Sequence, residues 1–188
     1  MKIAVLAFGS LIKNPSGISL KENFKANGVA LPLEFSRISS TGNTKDCLTL
    51  VIDEKNGTLI PSFYATSSHT DLKTAIDEFK TREHSKSDLA VGFIDLINHV
   101  VNSRALELYP KTVADIEKWA IDNKFDAVIW SNLRPNFKKM TGFSFSAKRA
   151  TDYIRYMMPD IRNKAREHIS NTNQTIQTPL RKRISQSN

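Results

Sequence analysis

Two stretches of this 188-residue chain carry residue types suited to chemistry. The first is Phe8-Gly9-Ser10-Leu11, which closes an apolar run beginning at Lys2. A glycine directly behind a buried strand lets the backbone turn tightly and lets a ligand approach bare N–H groups. The second is Glu83, eleven residues after Leu72, the first member of an apolar stripe Leu72, Ala75, Ile76, Phe79. Eleven residues are about three helical turns, so a helix that persists to Glu83 points it along the core-facing stripe. A carboxylate there sits at the unfavourable end of the helix dipole and is disfavoured by desolvation. Partial burial raises a carboxylate toward neutrality, the tuning wanted in a general base. The spacing leaves a second placement open, in which Glu83 lies one step past the helix end and pairs with Lys80 or Arg82 in water.

Other chemistries lack their residues. Gly9 stands alone before Gly17, so the G-x-G-x-x-G of a dinucleotide-binding unit is missing. The four histidines, His69, His84, His99 and His168, have no ligand spacing, and no metal or cofactor is expected. Ser10 has no histidine partner that spacing can identify. The single Cys47 excludes a disulfide framework within the chain.

The elements that must position these residues read as follows. Residues 2–12 give a buried strand and its turn. Residues 29–38 alternate Leu33 and Phe35 with Glu34 and Ser36 as a half-exposed strand does, with Pro32 marking an edge or a bulge. Ser39 to Asp46 is a turn-rich connection. Cys47–Ile52 reads as a central strand, and Asn56-Gly57 as the turn of a hairpin to a return strand over residues 58–65 that Pro61 bulges. Asp71 opens the helix that ends near Glu83, and Val91–Ile97 is the strand after it. Residues 98–105 are weakly strand-like, and a helix from Pro110 presents Val113, Ile116, Trp119 and Ala120. Residues 126–130 are a short buried strand. Trp130 and Phe137 are core residues or, alternatively, walls of a ligand pocket. Ser146 caps a further helix, and Pro159 divides it from another ending near Ile169. Strands without long intervening helices predict an α+β fold with a mixed, curled, barrel-like sheet of about six strands, flanking helices and a helical C-terminal extension.

Forty per cent hydrophobic residues and ten phenylalanines suit a sizeable core. No apolar run has membrane-spanning length and the N-terminal run lacks a cleavage pattern, so a cytoplasmic setting without membrane partners is expected. The net charge of +8 is localised: residues 147–188 hold nine Lys/Arg against three Asp/Glu, and residues 1–146 hold eighteen against sixteen. That distribution disfavours a nucleic-acid-binding protein. The basic patch Thr178–Arg183 could touch nucleic acid or an acidic membrane, but a solvated or packed tail is the simpler reading.

Phe8-Gly9-Ser10-Leu11 resembles the Tyr/Phe-Gly-Ser-x-Leu type of loop found in the γ-glutamylcyclotransferase-like family. Thr81-Arg82-Glu83-His84, followed by Val91-Gly92-Phe93, resembles that family's catalytic glutamate after a helix and before a strand. The resemblance spans residues 1–97 in fragments, and Phe8 stands where the family also uses tyrosine. It implies a γ-glutamylcyclotransferase-like domain over residues 1–145, with C-terminal helices over 146–169 packed on it and a polar basic tail over 170–188. It also implies a γ-glutamyl small-molecule substrate held by Phe8, Gly9, Ser10 and Leu11, with Glu83 as general acid/base and no cofactor. The reaction would be a metal-independent, cyclising acyl transfer that releases 5-oxoproline. A non-catalytic protein binding a small molecule or a partner on the same fold is the alternative. Leaving group and oligomeric state are not encoded in these motifs.

Overall fold

The computed structural model describes residues 1–40 and 45–186. Residues 41–44 of the turn-rich connection lie outside the described residues. The α+β class is the one observed, with strands in a five-stranded mixed sheet and a three-stranded sheet. The chain forms two compact units. Unit 1 comprises Met1–Leu31 and Pro61–Leu133, and unit 2 comprises Pro32–Ile60 and Arg134–Asn188.

Unit 1 is built on β1 (Ile3–Ala7), every residue of which is buried. Its sheet also holds β5 (Phe63–Thr66), β6 (Val91–Asp95), β7 (Val100–Val101) and β8 (Ala127–Ser131), in the order β5-β1-β8-β6-β7. β1 and β8 run parallel, with Val5 beside Ile129, while β5 and β6 flank them antiparallel. A parallel pair buried on both faces should be continuously apolar, as Ile3-Ala4-Val5-Leu6-Ala7 and Ala127-Val128-Ile129-Trp130 are. Helix α2 (Leu72–Arg82) begins at Asp71, whose carboxylate accepts from the Thr74 amide at 2.8 Å. Its Leu72, Ala75 and Phe79 share a core cluster with Ile3, Val5, Leu11 and Ile129. The weakly strand-like segment over residues 98–105 is strand only in part: 98–99 form a turn and 103–105 belong to a helix. Only Val100–Val101 pairs, and the Asn102 side chain then caps α3 (Ser103–Leu108) by accepting from the Ala105 amide. Helix α4 (Pro110–Asp122) follows with Pro110 in its first turn.

Unit 2 holds the sheet β3-β2-β4, made of β2 (Ala30–Ile38), β3 (Leu48–Ile52) and β4 (Thr58–Pro61). Four local expectations change here. The strand over 48–52 is not central but pairs within the described sheet with β2 alone. Asn56-Gly57 does not close a hairpin, because β2 lies between β3 and β4. The Asp53 carboxylate instead accepts from the Lys55 and Asn56 amides at 3.2 and 3.1 Å, and the Asp53 amide donates to the Pro32 carbonyl at 2.8 Å. The loop thus crosses the start of β2, so closely that a Cβ on Gly57 would stand 2.4 Å from the Pro32 carbonyl carbon. Glu34 and Ser36, which alternation would leave half-exposed, are both 0 % exposed, and the β2–β3 register shifts between Glu34 and Arg37. The return segment divides into β4 and β5, which belong to different sheets.

Helices α5 (Phe137–Thr141), α6 (Ala147–Arg155), α7 (Pro159–Ser170) and α8 (Pro179–Ser185) complete unit 2. The basic segment over 178–183 is therefore ordered. Leu180 and Ile184 join a core cluster with Phe35, Leu48, Phe137 and Ile154. Arg181 is only 6 % exposed, and its guanidinium donates to the carbonyls of Ser170, Thr172, Asn173 and Ile176. It fastens the loop before α8 rather than presenting charge to a polyanion.

Replacing Arg181 by alanine strands those carbonyls and should lower unfolding free energy by roughly 2–4 kcal/mol, and lysine should not rescue, since an ammonium cannot reproduce the planar fork. Denaturant titration reads both. Glu34 gives a pH signature. Burial, aided by Asp53, raises its pKa despite help from the Thr178 hydroxyl and the Phe35 and Leu180 amides, and its Oε2 lacks a hydrogen-bond partner. An acid whose folded pKa exceeds the unfolded value loses stability as pH rises from the ordinary 4.5 through the folded value. Glu34→Gln should therefore exceed wild type in thermal midpoint at pH 7, with the gap closing as pH falls below about 4.5.

Candidate functional site

The end of β1 is where backbone conformation departs furthest from the regular. Gly9 has φ 73° and ψ −137°, a region open essentially only to glycine. The reversal starts the short helix α1 (Ser10–Lys13), leaving Ser10 exposed while Phe8 and Leu11 are buried. The first amides of such a turn have no intrahelical acceptor.

Glu83 is one residue past α2, at its C-cap, with φ −77° and ψ 3°. The end of the helix is closed by three bonds. The Glu83 amide donates to the Phe79 carbonyl at 3.0 Å, the His84 amide to Thr81 at 3.0 Å, and the Ser85 amide to Lys80 at 3.2 Å. This is a Schellman closure, and its left-handed residue is His84, at φ 50°, where glycine is the usual occupant. The closure fixes the backbone that carries the carboxylate. The side chain is half-buried, and its Oε2 accepts from the Ser131 hydroxyl at 3.1 Å. Beside it, Arg82 donates from Nη2 to the Asn14 carbonyl at 3.2 Å, tying the end of α2 to the segment just after α1.

Ser131 is the last residue of β8, and a buried polar network holds it. The Trp130 indole N–H donates to the Tyr109 hydroxyl at 3.0 Å, and that hydroxyl donates to Asn132 Oδ1. Asn132 Nδ2 donates to the Leu89 carbonyl and to Asn102 Oδ1, each at 3.0 Å, and Asn102 Nδ2 donates to the Val91 carbonyl at 3.0 Å. Burial pushes the Tyr109 phenol strongly upward, so it stays a donor. Trp130 is fully buried and is a core residue, not a pocket wall.

The parallel β1–β8 register sets Val5 beside Ile129, so the C-terminal ends of the two strands point the same way. Adjacent strands lie about 4.8 Å apart. Glu83 is thus bonded to the end of one strand while the Phe8–Leu11 loop leaves the end of its neighbour. Ends of adjacent parallel strands are where open α/β sheets place ligands. Of the residues singled out by sequence, Glu83 and Phe8–Leu11 come to this one edge. Ser131 and Arg82 join them without a sequence signal, since a lone serine ending an apolar strand has no motif. His69 belongs elsewhere in unit 1. It faces Glu78, with Nε2 to Oε2 at 3.2 Å, and Glu78 also accepts from the Ser19 hydroxyl at 2.6 Å. Among the described residues no group of three or more His, Cys, Asp or Glu is set to hold a metal ion, and no helix is long and apolar enough to cross a membrane. No family model matches the chain, and no curated protein or solved structure matches it.

A non-glycine residue held left-handed gives up about 1 kcal/mol. His84→Gly should stabilise the protein by roughly 0.5–1 kcal/mol and raise the thermal midpoint by about 2 °C for a chain of this size. A drop in midpoint would show that the His84 side chain does more than occupy the cap.

Proposed function

We propose that unit 1 is a γ-glutamylcyclotransferase-like enzyme that cleaves a γ-glutamyl amide or amine and releases 5-oxoproline. The observation that carries this reading is the Glu83–Ser131 contact at the end of β8, one strand from the loop that follows β1. The reaction needs an anion cradle and a proton carrier, roles that the Phe8–Leu11 amides and the Glu83 carboxylate would fill.

The Phe8–Leu11 amides would hold the substrate's α-carboxylate, with Gly9 admitting it close to the backbone. Glu83 takes a proton from the α-ammonium group. The freed amine attacks the γ-carbonyl carbon, and the carbonyl electron pair moves onto oxygen. The attack closes the five-membered ring; the oxyanion then collapses and breaks the bond to the leaving amine, which receives the proton held by Glu83, while the second proton on the ring nitrogen passes by the same carboxylate to the departing amine, leaving a neutral lactam and an ammonium product. Nucleophile and electrophile belong to one molecule, so holding the folded conformer supplies most of the acceleration. Ser131 acts as a positioning residue: its donated hydrogen bond directs the carboxylate, and the capped helix end limits its travel. The cytoplasmic setting expected from the sequence suits a substrate class made of small soluble amides.

Release of 5-oxoproline from a panel of γ-glutamyl amino acids and amines tests the proposal. Glu83→Gln should lower kcat by about 10²-fold or more, with substrate binding by calorimetry retained. Equal turnover by both proteins would remove Glu83 from the mechanism. A wild-type protein inactive across the panel would instead make the edge a ligand-binding site.

A further inference from the structure

The segment that follows the Phe8–Leu11 loop is gripped by two side chains of α2. Arg82 Nη2 donates to the Asn14 carbonyl at 3.2 Å. Four residues earlier on the same helix, Glu78 accepts from the Ser19 amide at 2.8 Å and from the Ser19 hydroxyl at 2.6 Å. Residues four apart share a helical face, so the two grips stand one turn apart and take opposite ends of residues 14–19. Between them the Ile18 amide donates to the Pro15 carbonyl at 3.1 Å and the Ser16 amide to Asn14 Oδ1 at 3.2 Å. Gly17 has φ 84° in this turn, and a Cβ placed on it would stand 3.3 Å from Arg82 Cδ and 3.9 Å from Arg82 Cβ. The Arg82 stem therefore lies against the turn while its head holds Asn14. Asn14 is in its turn joined to the loop, because its amide donates to the Ser10 carbonyl at 3.0 Å at the end of α1. Residues 13–17 are exposed, so burial does little to hold them and the grips from α2 count for more.

We propose that Arg82 is a positioning residue for the reaction described above: through Asn14 and α1 it sets the spacing between the Phe8–Leu11 amides and Glu83, its own neighbour in the chain. The inference rests on that reading of the site. Cradle and acid/base belong to different elements, one to the chain leaving β1 and the other to the C-cap of α2. Their separation matters because attack within one molecule is fast only in the aligned geometry, and a displacement of about 1 Å can cost on the order of 10²-fold in rate. Leu11 shares the core cluster of Ala75 and Phe79, so removing Arg82 frees the outer turn without unfolding α1 or α2.

The test compares Arg82→Ala with the pair Gly17→Cys and Arg82→Cys, by hydrogen exchange and by 5-oxoproline release. Cβ atoms 3.9 Å apart fall within the window of about 3.5–4.5 Å that a disulfide bridges, and the remaining cysteine, Cys47, is buried. Arg82→Ala should speed exchange of the amides of residues 8–17 by about tenfold or more, leave α2 protected and move the thermal midpoint by no more than about 4 °C. Its kcat should fall about tenfold or more while KM changes by less than about threefold, because alignment is lost and the cradle amides are not. The oxidised cysteine pair should recover most of the wild-type protection and turnover, and reduction should return it to the behaviour of Arg82→Ala. A disulfide is uncharged, so this recovery separates positioning from an electrostatic effect of the guanidinium on Glu83. The inference is overturned if Arg82→Ala exchanges at wild-type rates over residues 8–11, or if the oxidised pair is protected yet turns over no faster than the reduced one. A wild-type protein inactive across the γ-glutamyl panel defeats the functional reading instead. Exchange then decides alone: unchanged rates overturn the hold of Arg82 on the loop, and protection restored by oxidation sustains it.

Discussion

Where β8 ends, Asn132 is buried with an amide side chain that must find its own partners. It takes them from the Tyr109 hydroxyl, the Leu89 carbonyl and Asn102, and through these from Val91 and Trp130. The preceding residue is Ser131, so the network that satisfies Asn132 also holds the backbone that carries Ser131. Buried polar groups are expensive to leave half-satisfied, and a fully satisfied set rigidifies the elements it joins. Here it joins β6, β8, α3 and the start of α4. The edge at which Glu83 meets β8 thereby inherits its geometry from a core that the substrate would not touch.

The second support of that edge is the closed end of α2. A glutamate at a C-cap would ordinarily swing on a frayed turn. The Schellman bonds through His84 and Ser85 hold the backbone instead, and the strained left-handed residue stands immediately beside the proposed acid/base. Gly9, also of unusual conformation, stands two residues past the end of β1. Both ends of the site are thus shaped by backbone reversals rather than by long side chains. That is the less entropically costly way to present amides and a carboxylate to one small ligand.

How much of this was legible follows from the range over which each interaction acts. β1, α2, α4 and β8 carry their periodicity locally, and their boundaries fall close to expectation. Helical spacing carries α2 only as far as Arg82, and Glu83 stands one residue past the helix at its C-cap, the other placement that the spacing left open. What failed was non-local. Asn56-Gly57 reads as a hairpin until Asp53 captures its amides and the loop is drawn across Pro32. Glu34 and Ser36 read as solvent-facing because alternation cannot report that a strand is covered on both sides. Arg181 read as part of a charged patch, whereas its carbonyl partners come from residues 170–176, which show no periodicity. Ser131 contributes one hydroxyl, and a single residue type without a repeat or a motif gives sequence reasoning nothing to count.

The segregation of charge has a mechanistic consequence for the two units. Unit 1, with equal numbers of acids and bases, has no long-range field with which to gather an anion. A γ-glutamyl group carries opposite charges on its α-amino and α-carboxyl ends, so a unipolar field would draw one end while repelling the other. Short-range donors suit such a dipolar ligand better, since they act only after both ends are in register. At physiological ionic strength they are also little altered by screening over about 8 Å. Unit 2 follows the opposite logic. Its excess of eight positive charges, fifteen Lys/Arg against seven Asp/Glu, acts at a distance on any anion, and salt weakens that attraction first. On the proposed function, discrimination among small γ-glutamyl compounds would fall to hydrogen-bond geometry at the ends of β1 and β8 rather than to net charge.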